Sequence, residues 1–343
     1  MAVREGGLVQ VGVVGGTGFV GRAIVRELVG AGHDVMVIHR GVLEVDDEPV
    51  GVVHAHVDRF DADGLAQALA SCETVIDTYA LTRRDADAVV AAAPKQSRLV
   101  VLSSCDVYRA YQGLLSGAVI DAVPLSEDAP LRTARFPYRG KLDGMDDYDK
   151  LDVEAAVLAR GGTVARLGFV IGPHDPQQRE QPILRRVRAG RSAIPIGTAN
   201  FIGSRVLVED VAVGLAQMLD VPVDHVAGEA FNLVELASPT LELWARWIIE
   251  DCGANLALIR VLDRFLPPDL ALFGHRSQPI QCSPAKAVAM LGWSPTDPRE
   301  ATRQSVAWHM ASPPHDADDD FTADDEALAH RVDHQAMSNL RSP

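Results

Sequence analysis

Through the first half of the chain, short apolar runs alternate with amphipathic segments. Strand-like runs fall at 8–14, 34–38, 52–57, 74–78, 99–103 and 163–167, and helical patterns at 19–31, 61–70, 83–93 and 147–160. Apolar strands separated by amphipathic helices predict βαβ crossovers and an α/β fold, a doubly wound parallel sheet covered on both faces. A long connection, 109–145, follows the fifth strand. Its many glycines and prolines predict a loop positioned to cover a ligand. Beyond Gly172-Pro173 the pattern loosens. It predicts a helix at 181–189, strands at 194–196 and 202–206, a helix at 208–219 and a strand at 230–234. A helix with Trp244 and Trp247, a Pro267-Pro268 break and helices near 285–291 and 299–310 complete it.

The first strand runs into Val11–Gly21, VGVVGGTGFVG, and an amphipathic helix follows at once. Gly16, Gly18 and Gly21 satisfy G-x-G-x-x-G, and Gly15, Gly18 and Gly21 satisfy G-x-x-G-x-x-G. Glycines permit a tight turn and let a pyrophosphate approach without meeting a Cβ. The helix N-terminus then offers free N–H groups and partial positive charge. Strand before and helix after are the context a dinucleotide site requires. Gly15, Gly16, Thr17, Gly18, Phe19, Val20 and Gly21 are therefore predicted to hold the cofactor. The second strand ends Val37-Ile38-His39-Arg40-Gly41, with no acid at its tip for a ribose 2′-hydroxyl. Arg40 beside His39 predicts a 2′-phosphate instead, and thus NADP(H) in preference to NAD(H). The Rossmann-type domain is expected at 8–172 plus 206–234, and a substrate lobe at 173–205 plus 235–311.

Composition narrows the class. No apolar run approaches 18 residues and the N-terminus has no secretory pattern, so a soluble cytoplasmic protein is expected. The four cysteines form neither a disulfide framework nor a zinc pattern, and no metal site is expected. A net charge of −15 argues against nucleic acid as a partner. Residues 312–343 carry eight acids against two arginines and are expected to be a disordered tail, within which 323–334 could form a short helix.

Further along, the sequence resembles the extended short-chain dehydrogenase/reductases, the NAD(P)-dependent epimerase/dehydratase group. The glycine loop, Val57-Asp58, Leu102-Ser-Ser-Cys-Asp-Val-Tyr108, Lys150-Leu-Asp-Val-Glu154, Arg166-Leu-Gly-Phe-Val-Ile-Gly-Pro173, Val208-Glu-Asp-Val-Ala212 and Leu291-Gly-Trp293 carry the likeness. The resemblance implies that Asp58, Tyr79 and Ala80 adjoin the cofactor, that Ser104 polarises a substrate oxygen, and that Lys150 holds the nicotinamide ribose. In redox members a tyrosine four residues before the lysine moves the proton. Here that position is Asp146, and Tyr148 stands only two before Lys150; on a regular helix the two would point apart. A helix starting late, capped by Asp146 or Asp147, would let Tyr148 curl back. Otherwise Asp146, Tyr138 or His174 does the proton work, or none is needed.

Many sugar-nucleotide members carry Asn where Phe169 stands, so a less polar carbonyl or hydroxyl compound is expected as substrate. Arg132, Arg135 and Arg139 are candidates to clamp an anion or to balance charge, and Arg166 is expected to be structural. The resemblance thus implies an NADP(H)-dependent oxidoreductase, epimerase or dehydratase, with a homodimer as one assembly. A non-redox enzyme, or an NADP-sensing or RNA-associated protein, is the alternative raised by the altered tyrosine motif.

Overall fold

The computed structural model describes residues 8–42, 45, 47–314 and 320–332. In the first half the order is β1 (Gln10–Val14), α1 (Phe19–Gly30), β2 (Asp34–His39), β3 (Val53–His56), α2 (Ala62–Leu69), β4 (Thr74–Asp77), α3 (Arg83–Ala92), β5 (Arg98–Ser104), α4 (Arg109–Ser116), α5 (Lys150–Ala159) and β6 (Thr163–Leu167). There follow β7 (Phe169–Ile171), α6 (Gln181–Arg188), β8 (Ala193–Ile196), β9 (Arg205–Leu207), α7 (Val208–Asp220), α8 (Val223–Val226) and β10 (Ala230–Leu233). The chain continues through α9 (Leu241–Asp251), β11 (Ala257–Arg260), α10 (Ala285–Leu291), α11 (Pro298–Ala311) and α12 (Thr322–Ala329).

Seven strands form one parallel sheet in the order β10-β6-β5-β4-β1-β2-β3. Its central strands are apolar on both faces: Val11 and Val13 of β1 pack against α1 and α7, while Val14 joins Leu65, Leu69 and Val153 on the other side. This is the doubly wound α/β fold. After β1 the chain builds outward through β2 and β3, then returns to place β4 on the other side of β1. Ligands in such sheets sit in the crevice beyond the carboxyl ends at that reversal. There Thr78 Oγ1 donates to the carbonyls of Val14 and Gly15 at 2.9 and 3.0 Å, tying the glycine loop to the end of β4. A separate apolar core around Phe201, Trp244, Ile248 and Phe273 lies beneath the small parallel pair β8–β11.

Four expectations are corrected. The connection after β5 is not all loop, because Arg109–Ser116 forms a helix closed by Gly117 in the left-handed conformation. The strand expected at 202–206 begins only at Arg205 and pairs with β7; Ile202 and Gly203 make isolated bridges to Thr240 and Ile280. The helix expected from 147 starts at Lys150, since Asp149 and not Asp146 or Asp147 is its N-cap.

The acidic tail holds α12, against the expectation of disorder. Asp324 is fully buried and pairs with the equally buried Arg186 at 2.6 Å, and Phe321 lies under the guanidinium groups of Arg185 and Arg191. Acids that read as solvated are here counter-ions for the basic end of α6. Asp316, Asp318, Asp319 and Asp333 lie outside the described residues.

Candidate active site

The glycine loop opens a cavity of about 410 Å³ at the sheet reversal, lined by Gly15, Thr17, Gly18, His39, Arg40, Asp58 and Tyr79 among others. Gly15 has φ +83°, and a Cβ there would meet Thr78 Oγ1 at 2.7 Å. At Gly21 a Cβ would fall 2.3 Å from the Gly15 carbonyl, so only glycine lets α1 approach the turn. Gly18 is different. A Cβ on it would touch only Gly15 O, at 3.5 Å, and otherwise extend into open space. It caps α1 without a side-chain acceptor, which leaves the helix N–H groups to whatever enters. That arrangement fits a dinucleotide pyrophosphate.

Gly16, Phe19 and Val20 do not line the cavity. Gly16 lies against Val37 of β2, and Phe19 and Val20 pack on the core beneath α1. Arg40 has no hydrogen-bond or ionic partner among the described residues, while Asp58 accepts from Phe60 N at 2.9 Å through one oxygen, leaving the other available. Ala80 is buried, and its carbonyl takes a bond from Lys150 Nζ at 2.6 Å.

The second half of the site is built where α5 begins. Asp149 accepts five hydrogen bonds: from Leu151 N, twice from Arg132, from Arg135 Nε and from Phe136 N. These donors hold its carboxyl down, at about 2 against an ordinary 3.8, despite burial. Arg132 and Arg135 therefore pin the helix start, and Arg139 pairs with Asp147. All three have acidic partners within the protein. Arg166 is structural as expected, held by Glu154 at 2.9 Å.

With the helix starting at Lys150, Tyr148 is outside it, and the angular argument against a Tyr–Lys pair does not apply. The Lys150 ammonium lies 6.0 Å from the Tyr148 ring centre. It donates to the carbonyls of Ala80 and Leu102 at 2.6 and 2.9 Å, so one of its three protons is uncommitted. The Tyr148 phenol donates to Asp106 Oδ2 at 2.8 Å, with the Ser104 hydroxyl nearby. Ser104 Oγ in turn accepts from Asp106 N at 3.1 Å.

Tyr138 also donates to Asp106 Oδ2, at 3.1 Å, and Tyr111 bonds Tyr138 at 2.8 Å. Asp106 is 3% exposed and its Oδ1 has no partner among the described residues. Burial raises its pKa, against the pull of the Tyr148 hydrogen bond, Arg132 and Lys150. Burial and the adjacent Asp106 carboxylate push the Tyr148 phenol well above its ordinary range. Tyr148 is thus held as a phenol, and the group it donates to is a buried carboxylate.

Neither of the other proton-transfer candidates joins this cluster. Asp146 accepts from Gly140 N at 2.8 Å, and the His174 ring lies tilted against Trp308, 4.6 Å between centres. The sequence reading missed Asp106 and Tyr111. The signal for Asp106 was its place just after a strand's carboxyl end, in Ser-Cys-Asp-Val-Tyr. A second, larger cavity of about 800 Å³ opens in the C-terminal lobe, where Phe169, Phe201 and Trp244 supply aromatic wall. Of the arginines that border it, Arg179 and Arg185 are paired with Asp175 and Asp269, and Arg205 lies over the Trp244 ring.

Residues 11–233 match the family model described as NAD dependent epimerase/dehydratase. The chain belongs to this family. Its members are NAD(P)-dependent enzymes, and the glycine loop and the sheet reversal of this chain form a cavity that fits a dinucleotide. Over 344 aligned residues the chain is 25% identical to the chloroplast stem-loop binding protein of 41 kDa b of Arabidopsis thaliana, covering 93% of this chain and 84% of the relative.

Among solved structures it resembles UDP-glucose 4-epimerase of Thermotoga maritima with UDP-glucose, at 16% identity and a TM-score of 0.68, covering 89% of this chain and all of that one. It likewise resembles the Bordetella bronchiseptica enzyme WbmG with NAD and UDP, at 19% identity and a TM-score of 0.68, covering 89% and 96%. At those identities the likeness is one of fold. Among the described residues no helix is long and apolar enough to cross a membrane.

Proposed function

We propose that this family member binds NADP(H) and acts on a carbonyl or hydroxyl compound, with Ser104 and Tyr148 at the reacting oxygen. The observation that carries the reading is the meeting of Ser104, Tyr148 and Asp106 beside Lys150. Ser104 supports a substrate oxygen by hydrogen bonding. The Tyr148 phenol gives that oxygen a proton, and Asp106, reached directly from the phenol, supplies or accepts the proton that restores it. Lys150 orients the nicotinamide ribose through its uncommitted proton. A bound nicotinamide gives or takes hydride at C4. Arg40, with no acceptor among the described residues and lining the adenosine end, supports the 2′-phosphate. Phe169 in the wall of the larger cavity supports a substrate with an apolar face rather than a polar sugar.

Thermal melting with NADP⁺ and NAD⁺ tests the cofactor half. A larger shift with NADP⁺ is expected, and equal shifts overturn the preference. A panel of aldehydes and ketones with NADPH tests the chemistry: turnover is expected, and its loss in Tyr148→Phe with dinucleotide binding retained identifies the proton donor. Turnover unchanged in that variant overturns the assignment. The stem-loop binding relative supports a second reading, RNA association; a retarded stem-loop RNA at physiological salt would favour it, against the −15 charge.

A further inference from the structure

At the open edge of the sheet, β2 and β3 run parallel in a register that sets His39 directly opposite His56, and His54 precedes His56 by two residues on the same face. Three imidazoles are thereby gathered at one spot. Their ring centres lie 4.8–6.3 Å apart, and one nitrogen from each falls within 4.8 Å of the others. We propose that His39, His54 and His56 form a binding site for a borderline divalent transition-metal ion of the Zn²⁺ or Ni²⁺ class, at the adenosine end of the cofactor cavity.

Three features of the cluster support the assignment. His39 Nε2 and His54 Nδ1 already face each other at 2.9 Å. In a tetrahedral site with Zn–N bonds of about 2.0–2.1 Å, ligand nitrogens are about 3.3 Å apart. Closing the third ring onto that pair needs a side-chain rotation on an exposed edge, where His54 and His56 have room. The second feature is Glu48. Its Oε2 lies 2.5 Å from His54 Nε2, the nitrogen turned away from the cluster. A carboxylate there keeps the proton on Nε2 and leaves Nδ1 as the bare ligand, the outer-shell arrangement by which proteins orient metal-binding histidines.

The third is the donor set. Imidazole nitrogens select Zn²⁺, Ni²⁺, Co²⁺ or Cu²⁺ and not the oxygen-seeking Mg²⁺ or Ca²⁺. Three protein ligands leave a four-coordinate ion one position for water. Because His39 also lines the cofactor cavity, the ion would sit beside Arg40 at its mouth.

Isothermal titration of the full chain with ZnCl₂ and NiCl₂, with MgCl₂ as control, tests the site. The expected result is one equivalent of Zn²⁺ or Ni²⁺ bound at micromolar or lower Kd and no Mg²⁺ heat. The double variant His54→Ala/His56→Ala should lose that equivalent, and Glu48→Gln should weaken it about 10-fold or more. Melting by circular dichroism verifies that both variants fold; the replaced side chains are on the exposed edge. Visible absorption of the Co²⁺-loaded chain gives a second readout, expected to show intense tetrahedral bands in the wild type and none in the double variant. Stoichiometric binding that survives the double substitution, or no binding by the wild type, overturns the proposal.

Discussion

The Tyr148 phenol donates its hydrogen to Asp106 Oδ2 at 2.8 Å, although the two residues are 42 positions apart. Asp106 comes off the end of β5 through a short 3-10 turn, and Tyr148 from the turn just before α5. Together they place a phenol and a carboxylate beside the strand-end serine without the usual tyrosine spacing to the lysine.

If Tyr148 passes its proton through this contact, Tyr148→Phe lowers kcat by roughly 10²- to 10⁴-fold and leaves dinucleotide affinity unchanged. Asp106→Asn lowers kcat also. Because the raised carboxyl is costly to ionise in its buried place, Asp106→Asn retains or gains stability near neutral pH. The sign follows from linkage: a carboxyl whose folded pKa is raised favours the native state below its ordinary pKa and opposes it above. Steady-state rates and thermal melts of the two variants check the prediction, and a marked loss of melting temperature in Asp106→Asn contradicts it.

Arg40 has no hydrogen-bond or ionic partner among the described residues, so Arg40→Ala is expected to leave the fold intact. The expected change is a loss of NADP⁺ affinity on the order of 10- to 100-fold, from one or two charge-assisted hydrogen bonds, with NAD⁺ affinity nearly constant. Titration with the two dinucleotides measures the ratio.

Asp149 caps α5 and neutralises Arg132, both of them buried. Removing it by Asp149→Ala leaves a buried guanidinium without its counter-ion and is expected to cost about 3–5 kcal/mol in urea unfolding. Its pKa is depressed to about 2, so its contribution is full above about pH 4 and is lost as pH falls through 2. The wild type should therefore lose more stability over that interval than a variant lacking the carboxylate.

Asp324→Ala strips Arg186 of a buried partner at 2.6 Å, leaving Asp269. A loss of about 3–5 kcal/mol is expected. Limited proteolysis should cut within 322–329 slowly in the wild type and quickly in the variant. Equal rates would show that the ion pair does not hold α12.

Gly21→Ala forces a Cβ to within 2.3–2.9 Å of backbone atoms of Gly15 and Gly16, which cannot rotate away. It is expected to destabilise by about 1–3 kcal/mol or more and to abolish stabilisation by either dinucleotide. Melts with and without cofactor separate the two effects.

Local features of the sequence determined the sheet, the cofactor loop and the absence of an acid at the tip of β2. Each depends on residues within one strand–turn–helix unit: apolar periodicity, glycine spacing, and the side chain ending a strand. What only the tertiary structure decided rests on distant partners. The start of α5 moved to Lys150 because Arg132 and Arg135, more than ten residues upstream, converge on Asp149. That shift frees Tyr148 from the helix and lets it reach Asp106, a residue whose proximity no spacing rule encodes. The acids of the tail read as solvated because their cation, Arg186, lies 138 residues away on α6. His39, His54 and His56 converge through strand register, which sets cross-strand neighbours that cannot be read along either strand alone. Periodicity records which face a residue takes, and long-range charge pairing and register decide what it meets there.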